Sequence, residues 1–295
     1  MANVIKIKKG LDINLKGKAS DVLLNGGKSD SYAIVPDYYN GILPKVVAKV
    51  GEKVKAGSVL MIDKNRPEIK FVSPVSGEVT AVNRGEKRKV LSIVVKPDAQ
   101  IEYEEFGKKN VASLQGAEVK EVLLNAGMWP FIKQRPYDIV AAPLDTPRDI
   151  FVSAFYSAPL APNFDFIVKG QEADFQTGLN ALAKLTNGKV YVGVRSGSVV
   201  SGMKGVEIVE VEGPHPAANV GVQINHIKPV NKGEVVWTVN PADVIVIGRL
   251  FNKGVADFSR MVAITGSETT ERGYVKTISG CTIKSLVNGK VLGQE

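Results

Sequence analysis

The segment PKVVAKVGEKVKAGSVLMIDKNRPEIKFVSPVSGEVTAVN, residues 44–83, constrains the fold more than any other part of the chain. Gly51 and Gly57 bracket one polar turn between apolar runs, and Pro74 and Gly77 bracket another about twenty residues on. Apolar runs that short, punctuated by glycine and proline at close spacing, read as β-hairpins rather than as amphipathic helices. Two such units in tandem predict a quasi-symmetric sandwich, and the same texture covers the first hundred residues.

From about residue 110 the pattern becomes α/β. Residues 137–142 read as a strand entering a loop that holds Pro143 and Pro147, and Phe164–Val168 is another short apolar run. In residues 172–185 Phe175, Leu179, Leu182 and Leu185 recur at helical spacing, and Asn187-Gly188 closes the helix. Strands at 189–194 and 206–211 follow, which predicts a parallel sheet of Rossmann-like type. A connector rich in proline, glycine and asparagine occupies 213–241. A last β-rich segment is expected from Asp243, with strands at 261–265, 274–278 and 281–286. The expected domains are therefore 1–105, 106–242 and 243–295. The third, with roughly fifty residues, reads as incomplete.

At 295 residues the chain has room for two or three such units. No apolar stretch approaches the roughly 20 residues that span a bilayer, and the run at 244–247 is strand-sized. The charged start MANVIKIKKG lacks the apolar centre of a signal peptide, so a cytoplasmic location is expected. Residues 1–100 carry 18 Lys+Arg against 10 Asp+Glu, so the whole net charge of +8 lies in the first third. A basic unit on a neutral body suits an acidic partner protein or anionic headgroups. Nucleic acid is not expected, because Lys87, Arg88 and Lys89 form only a short cluster without a recognition motif.

One cysteine, Cys281, and two histidines, His215 and His226, provide no ligand set for zinc or an iron-sulfur cluster. Gly27-Lys28-Ser29 has Val22 where a phosphate loop needs glycine, and the α/β region holds no Gly-x-Gly-x-x-Gly. His215, in Gly213-Pro214-His215-Pro216, reads as a rigid polar turn whose imidazole makes a structural hydrogen bond.

The 44–83 segment resembles the biotinyl/lipoyl carrier fold, in which a lysine at a hairpin tip takes the cofactor. Asp63-Lys64 stands at that place, but Asn65, Arg66 and Pro67 replace the small and β-branched residues that usually follow. An acyl- or biotinyl-type carrier using Lys64 is thus the alternative to an unmodified barrel.

Several phrases in order carry a wider resemblance: KKGLDINLKGK, Asp37-Tyr38-Tyr39-Asn40-Gly41, the 44–83 segment, Asn83-Arg84-Gly85-Glu86-Lys87-Arg88, Gly213-Pro214-His215-Pro216 and MVAITGSET at 261–269. Together they resemble the NqrA family, the NqrA subunit of the bacterial Na+-translocating NADH:quinone oxidoreductase. The resemblance implies a barrel-sandwich hybrid domain, a Rossmann-like α/β domain related to the complex I flavoprotein subunit, and a β-grasp-like soluble-ligand-binding domain. It also implies a peripheral protein on the cytoplasmic face of the bacterial inner membrane. The other subunits of the complex are then its partners, and quinone is a possible ligand. The complex as a whole uses NADH, flavins, iron-sulfur and quinone, and no cofactor is expected on this chain.

In the complex I relatives a glycine-rich segment cradles flavin phosphate. The matching residues 125–135 here keep only Gly127, and Met128, Trp129 and Phe131 stand where the backbone would have to approach the phosphate. Trp129, Phe131, Lys133 and Arg135 are expected to form a quinone-proximal or subunit-docking surface. Members of the family usually continue beyond the third domain, so a C-terminally truncated chain is expected.

Overall fold

The computed structural model describes residues 3–293. The chain opens with two strands that it lends to distant parts of the molecule, β1 (Asn3–Lys6) and β2 (Leu23–Leu24). A strap joins them: Leu11 N–H donates to the His215 carbonyl at 2.9 Å, and the Gly17 carbonyl accepts from Gly266 N–H at 2.9 Å.

The β unit follows, made of β3 (Tyr32–Ile34), β4 (Pro44–Val46), β5 (Lys53–Val54), β6 (Val59–Asp63), β7 (Lys70–Val72), β8 (Gly77–Arg84) and β9 (Val90–Pro97). One sheet has the order β3-β9-β8-β5 and the other β4-β6-β7, with all neighbours antiparallel. Leu60, Met61, Ile69, Phe71, Val79, Ile93 and Val95 are buried in its core. Each such side chain contributes about 1.5–3 kcal/mol of transfer free energy, enough to hold strands that are individually too short to persist.

The α/β unit runs through α1 (Gly116–Asn125), β10 (Ile132–Arg135), β11 (Ile139–Val140), β12 (Ile150–Ser153), α2 (Phe164–Val168), α3 (Glu172–Ala183), β13 (Val190–Val194), β14 (Glu207–Glu212), α4 (Val220–Ile227), β15 (Val236–Val239) and α5 (Pro241–Lys253). Its seven-stranded sheet has the order β1-β14-β13-β12-β15-β10-β11. Strands β1, β14, β13, β12 and β15 are mutually parallel, while β10 and β11 complete one edge antiparallel. From β12 the chain moves outward to β13 and β14, then α4 carries it back to β15 on the other side of β12. The strand order thus reverses between β12 and β15. Helices α3 and α5 cover one face over Ile150, Val152 and Trp237, and α4 covers the other over Phe151 and Val236.

The last unit pairs β16 (Ser259–Ile264) with β17 (Gly273–Ile278) antiparallel and adds β2 parallel to β17, followed by α6 (Ile283–Val287). Among the described residues no helix is long and apolar enough to cross a membrane.

Four expectations are corrected. The run at 244–247 is not a strand but the middle of α5, and the expected boundary at 242/243 falls inside that helix. Asn240 caps α5 by accepting from Ala242 N–H, and Pro241 stands in its first turn, where a missing N–H costs nothing. The connector at 213–241 holds both α4 and β15. Phe164–Val168 is a helix, because the Asn163 side chain caps it. Residues 283–287 are α6 rather than strand, with the Thr282 side chain as cap.

Arg249 on α5, 4% exposed, ties the last two units together. Its guanidinium donates to the Asp257 carbonyl at 3.1 Å, the Ser259 carbonyl at 2.8 Å and Gln171 Oε1 at 2.7 Å. Burial alone would raise the Asp257 carboxyl, but hydrogen bonds from Lys253 and Ser259 and the charge of Arg249 outweigh it and hold the group at about 2. A carboxyl lowered on folding contributes stability above its unfolded value, and that contribution is lost as pH falls through the folded value. The melting temperature is therefore expected to drop between about pH 4 and pH 2, and Asp257→Asn to flatten the drop. An unchanged acid profile in that variant would refute the assignment.

Candidate functional site

Three segments distant in sequence meet where the β unit, the α/β sheet and the last unit touch. The segment at 36–39 brings Tyr39, β10 brings Lys133 with Phe131 just before it, and β16 brings Arg260. Asp243, in the first turn of α5, lies 2.7 Å from Arg260 and fixes its guanidinium. Arg260 stands over the Phe131 ring at 5.8 Å, and Phe131 meets Phe258 edge-on at 6.1 Å. Tyr39 packs edge-on against Phe71 at 4.8 Å, and Lys133 Nζ lies 5.3 Å from the Tyr39 ring centroid. These side chains line an apolar cavity of about 310 Å³.

The electrostatics follow from burial. Burial pushes the Tyr39 hydroxyl up to about 12, with the Asp243 charge adding to it and Arg260 opposing. Tyr156, hydrogen-bonded to Asn240 and near the same Asp243 charge, is also pushed up to about 12, chiefly by burial. Burial pulls the Lys133 ammonium down, against the charges of Asp138 and Asp243. The cavity thus offers aromatic faces beside two cationic donors, Lys133 and Arg260, which suits a planar ring bearing carbonyl acceptors.

The expected surface of Trp129, Phe131, Lys133 and Arg135 divides in two. Trp129 does not reach a surface: it is 0% exposed, donates to the Ala141 carbonyl at 2.8 Å and packs edge-on against Trp237. The indole can be buried here because the Ala141 carbonyl, just past β11, satisfies its N–H. Phe131 and Lys133 line the cavity above, and Arg135 lines a second one on the α4 side with them. Segment 125–135 itself is a joint between units. Gly127, at φ +68°, lies so close to Val72 on β7 that a Cβ would come within 2.6 Å of that side chain.

His215 anchors the strap and lies outside this site. Its Nδ1 shares a hydrogen bond with Ser157 Oγ at 3.0 Å, and its N–H donates to Asp12 Oδ1 at 2.8 Å. Lys64 is exposed at the hairpin tip, but the tip is pinned. Buried Asp63 holds Arg66 at 2.7 Å, and Arg66 donates to the Gly41 and Val140 carbonyls. A hairpin tied to the α/β unit in this way is poorly suited to swing between sites.

Tyr39, Tyr156, Asp243, Phe258 and Arg260 carry no mark of a site in the sequence. They come from four separate segments, with only Phe258 and Arg260 close in sequence, and the close aromatic and basic spacing at 129–135 gives the one local signal.

Three family profiles match along the chain. One described as NqrA N-terminal barrel-sandwich hybrid domain covers residues 5–98, one described as NqrA second alpha/beta domain covers 114–256, and one described as NQRA C-terminal domain covers 261–295. The chain belongs to the NqrA family. Similar NqrA proteins include one from Hahella chejuensis, 37% identical over 98% of this chain, and one from Neisseria meningitidis serogroup A, 35% identical over 98%. A third, from Photorhabdus laumondii, is 35% identical over 98% of the chain. All three are named as the NqrA subunit of Na(+)-translocating NADH-quinone reductase. The chain spans 65%, 66% and 65% of their respective lengths. The NqrA α/β profile reaches residue 256, past the end of α5, as expected if that helix packs with the sheet before it.

Proposed function

We propose that this chain is a peripheral subunit of an Na+-translocating NADH:quinone oxidoreductase, held at the cytoplasmic face of a bacterial inner membrane. It serves there as scaffold, and the Tyr39, Phe131 and Arg260 cavity forms part of a quinone site. The observation that carries the reading is the uniform similarity, 35–37% over 98% of the chain, to relatives named as that component of the complex. The aromatic cavity between two cations supports the quinone role, since a quinone ring stacks on aromatic faces and its carbonyls accept from Lys133 and Arg260. In this reading the α/β unit is Rossmann-like and related to the complex I flavoprotein subunit, and the last unit is β-grasp-like. The chain itself brings docking surfaces, while NADH, flavins and iron-sulfur centres reside on other subunits.

The test is a pull-down from detergent-solubilised bacterial membranes with the chain as bait, followed by mass identification and an absorbance scan. Recovery of membrane-embedded redox subunits by a colourless bait is the expected result. A bait that stays alone, or one that carries a modified Lys64, would overturn the reading.

A further inference from the structure

The strap between β1 and β2 is pinned at two points and exposed between them. Both pins are glycines in the left-handed region that let backbones touch. A Cβ at Gly10 (φ +156°) would run into the His215 carbonyl, and one at Gly17 (φ +103°) into the Gly266 carbonyl. A cavity of about 380 Å³ separates residues 12–15 from the loop that follows β12, so the strap stands off the body instead of packing on it. Every residue from 8 to 16 is exposed.

Leu11, Ile13 and Leu15 are large, apolar and 54–69% exposed. Single exposed aliphatic side chains are ordinary, but a cluster on a tethered bow is a feature of surfaces that something covers. The charge around them is one-sided. Lys8, Lys9, Lys16 and Lys18 flank the three, all exposed and without an ion pair among the described residues. Asp12, the one carboxylate in residues 8–18, accepts from His215 N–H at 2.8 Å. Across the cavity, Asp165 accepts from Ser198 Oγ at 2.6 Å and Val199 N–H at 3.2 Å. The basic rim therefore calls for an anionic occupant.

Composition decides between a protein and a bilayer. Protein interfaces concentrate aromatic residues, methionine and arginine and are poor in lysine, and leucine is under-represented among their energetic centres. Residues 8–18 hold no aromatic, methionine or arginine, only aliphatic side chains and lysines around a polar backbone. That pairing suits a lipid interface, where aliphatic side chains enter the acyl boundary while lysine stems reach back to leave their ammonium groups among the phosphates. A projecting bow also needs no matching socket in a fluid surface.

We infer that residues 8–18 dock on a bilayer rich in anionic phospholipid, with Leu11, Ile13 and Leu15 inserted and the four lysines at the headgroup phosphates. This rests on the proposed placement at a membrane, yet the two fail separately: the pull-down reads partner subunits, whereas vesicle binding needs no partner.

The test is co-sedimentation of the full chain with vesicles of equimolar phosphatidylglycerol and phosphatidylcholine, and with vesicles of phosphatidylcholine alone. Binding to the anionic vesicles is expected, with the neutral ones at least about thirty-fold weaker. Ile13→Ser with Leu15→Ser is expected to weaken anionic binding about ten-fold, and Lys16→Gln with Lys18→Gln about thirty-fold. Leu144→Ser and Lys232→Gln, at exposed positions before the amino ends of β12 and β15, are unchanged controls. Ile13→Trp adds a reporter, since Trp129 and Trp237 are both fully buried. Its emission is expected to move to shorter wavelength on anionic vesicles. No binding to those vesicles, which would leave an acidic protein as the occupant, or equal binding to neutral ones would overturn the proposal. Full binding by the serine variant, or an unmoved emission, would overturn insertion of the strap.

Discussion

Replacing Arg249 with leucine is expected to lower folding stability by about 3–5 kcal/mol, read as a fall in the urea midpoint with an unchanged slope. Arg249 lies 3.4 Å from the Asp257 carboxylate and 3.7 Å from that of Asp174, both largely buried. Leucine fills part of the volume but leaves two carboxylates without their shared cation, and the Ser259 and Asp257 carbonyls without their donor. The cost is thus of stranded partners more than of a lost attraction. Adding Asp174→Asn and Asp257→Asn to the leucine variant should recover part of the loss, because neutral amides need no counter-charge. A loss below about 1 kcal/mol in the single variant would show that the network contributes only what a surface pair does.

Gly248→Val is expected to be nearly as costly, about 3 kcal/mol or more, for a different reason. Helices α3 and α5 cross with their backbones in contact. A Cβ at Gly248 would run into the Asp174 carbonyl, and a Cβ at Gly178 into the Val244 carbonyl. Both obstacles are backbone, so neither can rotate away, and the helices must separate. Gly248→Ala is the sharper experiment. Helix propensity favours alanine over glycine by about 1 kcal/mol, so a lower melting temperature by circular dichroism would isolate the steric conflict. A stabilised alanine variant would refute the close crossing.

These two positions also mark where reading residues in order stops working. The hairpins of the β unit and helix α3 are legible because turn punctuation and a one-sided apolar stripe are local signals. Gly51, Gly57, Pro74 and Gly77 fall at or beside turns, and α3 covers 172–183 against an expected 172–185. Helix α5 is not legible because its residues 244–251 are all buried, so no polar face interrupts the apolar run to reveal the helical period. Helix α4 hides between turn-forming residues. The candidate site is visible only at Phe131 and Lys133. Its remaining members become neighbours through the meeting of three units, an outcome of packing that no spacing within one segment encodes. Nor does anything in residues 3–6 announce that β1 pairs with β14, since a four-residue strand carries little pattern of its own.

That last pairing sets an order of events during synthesis. Strand β1 hydrogen-bonds to Val209 through Glu212, and β2 to Tyr274 and Val275, so the partners of both strands are made long after the strands themselves. At the roughly 5–20 residues per second of translation, the first strand waits about 10–40 s for its neighbour. The β unit, whose strand-to-strand ladders lie within residues 32–97, has all of those ladders available well before then, with only single bridges such as Tyr32 to Cys281 left to form later. The nascent chain therefore carries a completed barrel with a loose basic leader ahead of it, and the leader is drawn in only when the two later sheets close.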